Sequence, residues 1–154
     1  MALDGNIVPF ESVDHTADLA FIARGRTLPE LFQNAARGML DLLHDCPASG
    51  EEAETRIEVE AGDLEELLVA WLQEILYRRE QRRQVVCTFE VESLRPPSAD
   101  APARLVAVVR GETWDPARHR LGTEVKAATY HGLEITREFA GEGEVYRVQV
   151  VLDV

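Results

Sequence analysis

The sequence predicts an α+β fold: two amphipathic helices packed on a mainly antiparallel or mixed β-sheet, as a single compact domain over residues 1–154. Three features of the pattern predict it. Two segments repeat apolar residues at helical spacing, so each helix has one stripe to bury. Most other segments are short runs rich in Val and Ile. Several of these are joined by short turns, which suit antiparallel neighbours.

Residues 8–13 and 19–24 read as strands on either side of a polar stretch. The first helix follows Thr27, with Leu28, Leu31, Phe32, Ala35, Ala36, Met39, Leu42 and Leu43 on its stripe. Thr27 with Glu30 makes a capping-box pattern, and Pro29 is tolerated in a first turn. Residues 56–61 read as a strand. The second helix follows Asp63, which repeats the capping pattern with Glu66; its stripe is Leu64, Leu67, Leu68, Trp71, Leu72, Ile75 and Leu76. Residues 85–92, 104–113, 124–129, 133–138 and 145–154 complete the strands. Residues 46–50, 95–102 and 141–143 are loops by their Pro and Gly content.

A chain of 154 residues has the size of one ordinary domain, and an apolar fraction of 45% is enough for a core. No segment approaches the ~20 apolar residues that cross a bilayer. The first residues lack a basic segment followed by an apolar run. A cytoplasmic protein without a membrane partner is expected. Cys46 and Cys87 lack the close spacing of a zinc or redox motif, so reduced thiols are expected, with Cys87 in the core and a disulfide as the alternative. A net charge of −12 repels nucleic acid, because duplex binding depends on cations that neutralise phosphates. No direct high-affinity nucleic-acid binding is expected; an RNA-related role would act through a protein partner or one local basic patch.

Three places carry unusual chemistry. Asp14-His15-Thr16-Ala17-Asp18 puts two carboxylates, an imidazole and a hydroxyl between two strands. Hard cations such as Ca²⁺, Mg²⁺ or Mn²⁺ need several oxygen ligands. On an extended chain the two aspartates are ~13 Å apart, so they share an ion only if the chain turns, or one of them needs a carboxylate from elsewhere. A plain Asx or Ser/Thr turn is the alternative. The second place is the C-terminal strand, whose even positions from Tyr146 to Val154 are all apolar. Such a strand fixes the α-carboxylate of Val154 next to Asp153, and two close negative charges invite a cation; a strand that ends in water is the alternative. The third is Gly122-Thr123-Glu124-Val125-Lys126-Ala127-Ala128-Thr129-Tyr130-His131. It holds Lys126, the one lysine beside fifteen arginines. A lysine there suits a site that wants a compact ammonium; a salt bridge to a nearby acid is the alternative. His119 and His131 read as satisfied surface or turn histidines. Arg78, Arg79, Arg82 and Arg83 follow the second helix and complement its dipole, with local RNA contact as the lesser reading. No nucleophile elbow, phosphate-cradling loop or paired-His zinc motif is present.

Together these segments resemble the archease family. The resemblance runs through Asp14-His15-Thr16-Ala17-Asp18, then Gly25-Arg26-Thr27-Leu28-Pro29-Glu30-Leu31-Phe32. It continues in Asp63-Leu64-Glu65-Glu66-Leu67-Leu68-Val69-Ala70-Trp71-Leu72, in the 122–131 segment, and in Val151-Leu152-Asp153-Val154. It covers essentially the whole chain, and departs at Ala128, where a larger residue is expected. The resemblance implies a non-enzymatic accessory protein of an RtcB-type RNA ligase, which uses GTP and Mn²⁺. The family is described as promoting guanylylation and multiple turnover by that ligase in tRNA splicing or RNA repair. It further implies a divalent metal ion (calcium, or Mn/Mg) held by Asp18, Asp153 and Val154. Asp14 would then orient the turn, and His15 and Lys126 are the candidates for partner contact. A general chaperone or protein-binding adaptor is the alternative, and a metal-dependent hydrolase built from scattered carboxylates ranks third.

Overall fold

Both helices begin at the caps that the sequence places for them. In the computed structural model, which describes residues 7–13, 19–45, 53–117, 119–141 and 143–154, the Thr27 hydroxyl accepts from the Glu30 N–H at 3.2 Å and opens α1 (Leu28–Leu43). The Asp63 carboxylate accepts from the Glu66 N–H at 2.8 Å and opens α2 (Leu64–Gln81). Glu66 reaches back to the Gly62 N–H at 3.0 Å, one residue before the cap. Asp63→Ala leaves first-turn donors unsatisfied and is expected to cost about 1 kcal/mol, read by urea denaturation.

Ten strands accompany the helices among the described residues. In chain order they are β1 (Phe10–Val13), β2 (Leu19–Gly25), β3 (His44–Asp45), β4 (Ala53–Ala61) and β5 (Gln84–Arg95). They continue with β6 (Ala103–Thr113), β7 (Arg120–Leu121), β8 (Ala127–Ala128), β9 (Thr136–Ala140) and β10 (Gly143–Asp153). All the pairings are antiparallel. One sheet has the order β1-β2-β10-β8, with β9 also paired to β10; a second has the order β4-β6-β5; β3 and β7 make a short ribbon. The predicted α+β class holds, and the strands divide between two sheets.

The helix stripes make the core. Leu31, Phe32, Ala35, Met39 and Leu43 of α1, and Leu67, Leu68, Trp71, Leu72 and Ile75 of α2, are all buried. α1 packs on β2 and β10 of one sheet and on β5 of the other; α2 packs on β4, β5 and β6 and also touches β8. The outer face of the β4-β6-β5 sheet carries charge instead. There Arg56, Arg104 and Arg110 pair with Glu54, Glu58, Glu60 and Glu92. Such exposed pairs contribute little stability and serve solubility.

Arg24 joins three strands. Its guanidinium donates to Glu138 of β9 at 2.5 Å and to Glu11 of β1 at 2.9 Å. Burial alone would lower its pKa, but the two carboxylates outweigh that and raise it.

Two glycines of the family-like segments have steric reasons. A Cβ on Gly25 would lie 2.3 Å from the Leu31 backbone nitrogen, because the first turn of α1 folds back over the end of β2. Gly25→Ala must shift that turn and is expected to cost about 1–3 kcal/mol, seen as a lowered melting temperature. A Cβ on Gly122 would lie 2.2 Å from the Leu42 carbonyl oxygen. The backbone N–H groups of Gly122 and Thr123 donate to the Leu43 and Leu42 carbonyls at 2.8 and 2.7 Å, which satisfies the open end of α1.

Several expectations are corrected. The strand expected over 133–138 begins at Thr136: Gly132 turns with φ 62°, Leu133 N–H closes onto the Tyr130 carbonyl, and Ile135 N–H goes to the Glu65 carboxylate of α2. Of 124–129 only Ala127 and Ala128 join a ladder. Cys87 is disulfide-bonded, not a reduced thiol; wide sequence spacing does not limit approach in the folded chain. Cys46 lies outside the described residues. His119 is satisfied, as expected, by Asp115 and Glu112, but it is buried and not at the surface.

Candidate metal centre

The C-terminal strand lies between two neighbours. β10 pairs with β2 through Val148↔Ala23, Val150↔Phe21 and Leu152↔Leu19. On its other edge it pairs with β9 near its start and β8 near its end. Val148, Val150, Val151 and Leu152 are buried, so apolar packing pins the strand almost to its tip. Asp153 is the last residue of the strand and stands opposite Ala127.

The segment around Lys126 is clamped onto that tip. The Lys126 N–H donates to the Asp153 carbonyl at 2.7 Å. The Thr129 N–H and hydroxyl both donate to the Val151 carbonyl, at 3.0 and 3.1 Å. From the other side the Gln73 side chain of α2 accepts from the Ala128 N–H at 2.9 Å. Ala128, the residue that departs from the family pattern, is buried opposite Leu152. Asp153 has fixed main-chain partners and an exposed side chain, and Val154 beside it is 39% exposed.

Among the described residues the Asp153 carboxylate has no ion-pair partner, and neither has the Lys126 ammonium. The salt bridge considered for Lys126 is therefore not found there. No three metal-ligating side chains converge among the described residues. Asp14, His15 and Asp18 lie outside the described residues. The flanking register is clear: Leu19, which follows Asp18 in sequence, pairs with Leu152, which precedes Asp153. The groups described at the tip, Asp153 with the adjoining Val154, offer oxygen donors of the kind a hard divalent cation takes.

A model of the archease protein family matches residues 10–154. The chain belongs to the archease family. Protein archease of Methanopyrus kandleri is 42% identical over 131 residues, covering 85% of this chain and 91% of that one. Protein archease of Methanosarcina mazei is 37% identical over 145 residues, covering 94% and 95%. The solution structure of protein 1598 of Methanobacterium thermoautotrophicum superposes with a TM-score of 0.72 at 31% identity, covering 95% of this chain and 99% of that one. The family expected from the sequence segments is thus the family found, and the α+β architecture is that of a solved relative.

One polar pair of this archease went unread in the sequence. The Glu112 carboxylate and His119 Nε2 meet at 2.6 Å, both residues buried. His119 Nδ1 lies 2.9 Å from the Asp115 backbone nitrogen and 3.1 Å from the Asp115 carbonyl oxygen, so both ring nitrogens have polar partners. The signal available was a glutamate inside the apolar run of β6. No helix among the described residues is long and apolar enough to cross a membrane.

Proposed function

We propose that this archease is an accessory protein of an RtcB-type RNA ligase and promotes the ligase's guanylylation and multiple turnover in tRNA splicing or RNA repair. In this reading it holds a divalent ion (calcium, or Mn/Mg) with the side chains of Asp18 and Asp153 and the α-carboxylate of Val154. The supporting observation is the Leu19↔Leu152 pairing, which sets the start of β2 beside the end of β10. Neither acidic segment is a complete site alone. When bound, the ion supplies fixed positive charge at an exposed, otherwise acidic tip. Carboxylates at that tip repel one another without a cation. The main-chain bonds of Asp153 and Lys126 keep the tip in place, and the exposed Lys126 ammonium and His15 are the proposed partner contacts. Tyr130, 59% exposed, borders the same segment and adds an apolar contact.

The large exposed apolar residues described are Tyr77, Tyr130, Phe139 and Val154, which lie on separate elements. This favours a specific accessory role over a general chaperone, which needs a broad apolar surface.

A ligase turnover assay tests the proposal. Adding the protein to an RtcB-type ligase with GTP and Mn²⁺ should raise ligated RNA beyond one product per ligase, while the protein alone ligates nothing. Asp18→Ala and Asp153→Ala should each remove the stimulation. Full stimulation by both variants would contradict the metal reading, and no stimulation by the unaltered protein would contradict the partner.

A further inference from the structure

Of the four arginines expected to follow the second helix, Arg78 and Arg79 lie in the last turn of α2, Arg82 caps it and Arg83 comes after, and together they exceed what its dipole requires. Arg78 is already paired with Glu74 at 3.4 Å in the last turns of the helix. Arg79, Arg82 and Arg83 have no ion-pair or hydrogen-bonding side-chain partner among the described residues. Six arginines elsewhere in this acidic chain, Arg24, Arg56, Arg104, Arg110, Arg137 and Arg147, pair with glutamates, whereas Arg26, just after β2, is a single unpaired one among the described residues. Three unpaired guanidiniums within five residues of sequence form a local basic patch on a chain of net charge −12.

This patch lines two adjoining cavities. Arg79, Glu80, Arg83, Gln84, Val85 and Trp114 border one of about 250 Å³. Thr55, Arg78, Arg82, Gln84 and Thr113 border one of about 370 Å³. Gln84 is common to both. The first joins a half-buried indole to two of the unpaired arginines, and the second is hydroxyl- and guanidinium-lined. Glu80 is the carboxylate in the lining of the first, outnumbered by the cations around it.

The two halves of the patch are tied together. Arg83 has φ 51°, in the left-handed region that arginine rarely occupies. Its carbonyl accepts from the Trp114 N–H at 2.8 Å, which holds the two residues side by side. The Trp114 ring is stacked on His119 at 5.5 Å between centroids, and His119 is in turn fixed by Glu112. Arg83 directly follows the cap of α2, a position where helices often end in the left-handed region and usually place glycine, so arginine there is unusual.

We propose that this end of the molecule binds a phosphorylated nucleotide, with its phosphate on Arg79 and Arg83, its base against Trp114, and Arg82 in the adjoining cavity offering a cation to a further phosphate. Guanidinium forks match phosphate oxygens, and an indole offers every base a stacking surface. An acidic peptide would use the arginines but has no need of the indole. The ligand is either a free nucleotide or a unit of a single strand. The site shares no residue with the tip of β10 and does not depend on the metal reading.

Fluorescence anisotropy with a 5′-labelled hexauridylate at low salt tests this, with unlabelled ATP as competitor. The unaltered protein should bind the hexamer. The double variant Arg82→Gln, Arg83→Gly should weaken binding at least ~10-fold and added salt should weaken it further; Trp114→Leu should weaken it at least ~5-fold. Arg56→Gln, on the far sheet face, should change nothing. Competition by ATP identifies a free nucleotide as sufficient, and its failure assigns the site to a strand; both outcomes support the proposal. Arg83→Gly alone should weaken binding yet raise the melting temperature, a combination that a purely structural arginine would not give. In the unaltered protein the Trp114 indole N–H resonance should shift on adding ATP or hexamer. No binding, binding that the variants leave unmoved, or displacement of the hexamer by polyglutamate without an indole shift would overturn it.

Discussion

Asp153→Ala is expected to lower divalent-ion affinity by ~100-fold or more while the melting temperature stays within about a degree. A ligand carboxylate contributes directly to the ion, and even residues that only orient such ligands typically cost 10–100-fold when removed. Stability should be unaffected because the side chain is exposed and its main-chain carbonyl keeps the Lys126 bond. Appending several residues after Val154 should produce a similar loss without altering any side chain, since the α-carboxylate becomes a neutral amide. Isothermal titration with Ca²⁺ and with Mn²⁺ reads both effects. Unchanged affinity in both proteins would remove the C-terminal tip from the site.

The second large effect is on the core. Trp71→Ala is expected to cost about 3–5 kcal/mol, a large share of the ~5–15 kcal/mol typical of a whole domain. Trp71 is fully buried. Its indole N–H donates to the Phe32 carbonyl of α1 at 3.0 Å, and its ring meets Phe89 of β5 edge-on at 5.8 Å. It therefore joins both helices to the second sheet. Trp71→Phe keeps a ring and loses the N–H, so its cost should be well under half as large. Urea denaturation followed by circular dichroism gives both values. A cost under ~1 kcal/mol for Trp71→Ala would mean that the helices and that sheet do not share one core.

The parts legible in the sequence were those set by local physics. The α1 and α2 stripes carry a helical period, and Thr27 and Asp63 cap them through bonds spanning three residues. β10 declared itself by its apolar even positions, of which Val148, Val150 and Leu152 are buried, although Val145 and Val151 of the other face are buried too. What was not legible depends on partners far along the chain. Ile135 leaves the expected strand because Glu65, 70 residues away, takes its N–H. Cys87 and the Glu112–His119 pair likewise depend on tertiary approach. The arginines at the end of α2 were visible, but the two cavities and Trp114 beside them are products of the fold. At the proposed metal centre the sequence offered both acidic segments, while the register of Leu19 against Leu152 needed coordinates.

Paramagnetic broadening tests the shared-ion claim most directly. Substoichiometric Mn²⁺ is added to the ¹⁵N-labelled protein and amide intensities are followed. The amides of Asp18, Leu19, Lys126, Asp153 and Val154 should fade first and together, and recover on chelation. Fading centred elsewhere, such as the glutamates of β4, or confined to only one of the two chain ends, would contradict it.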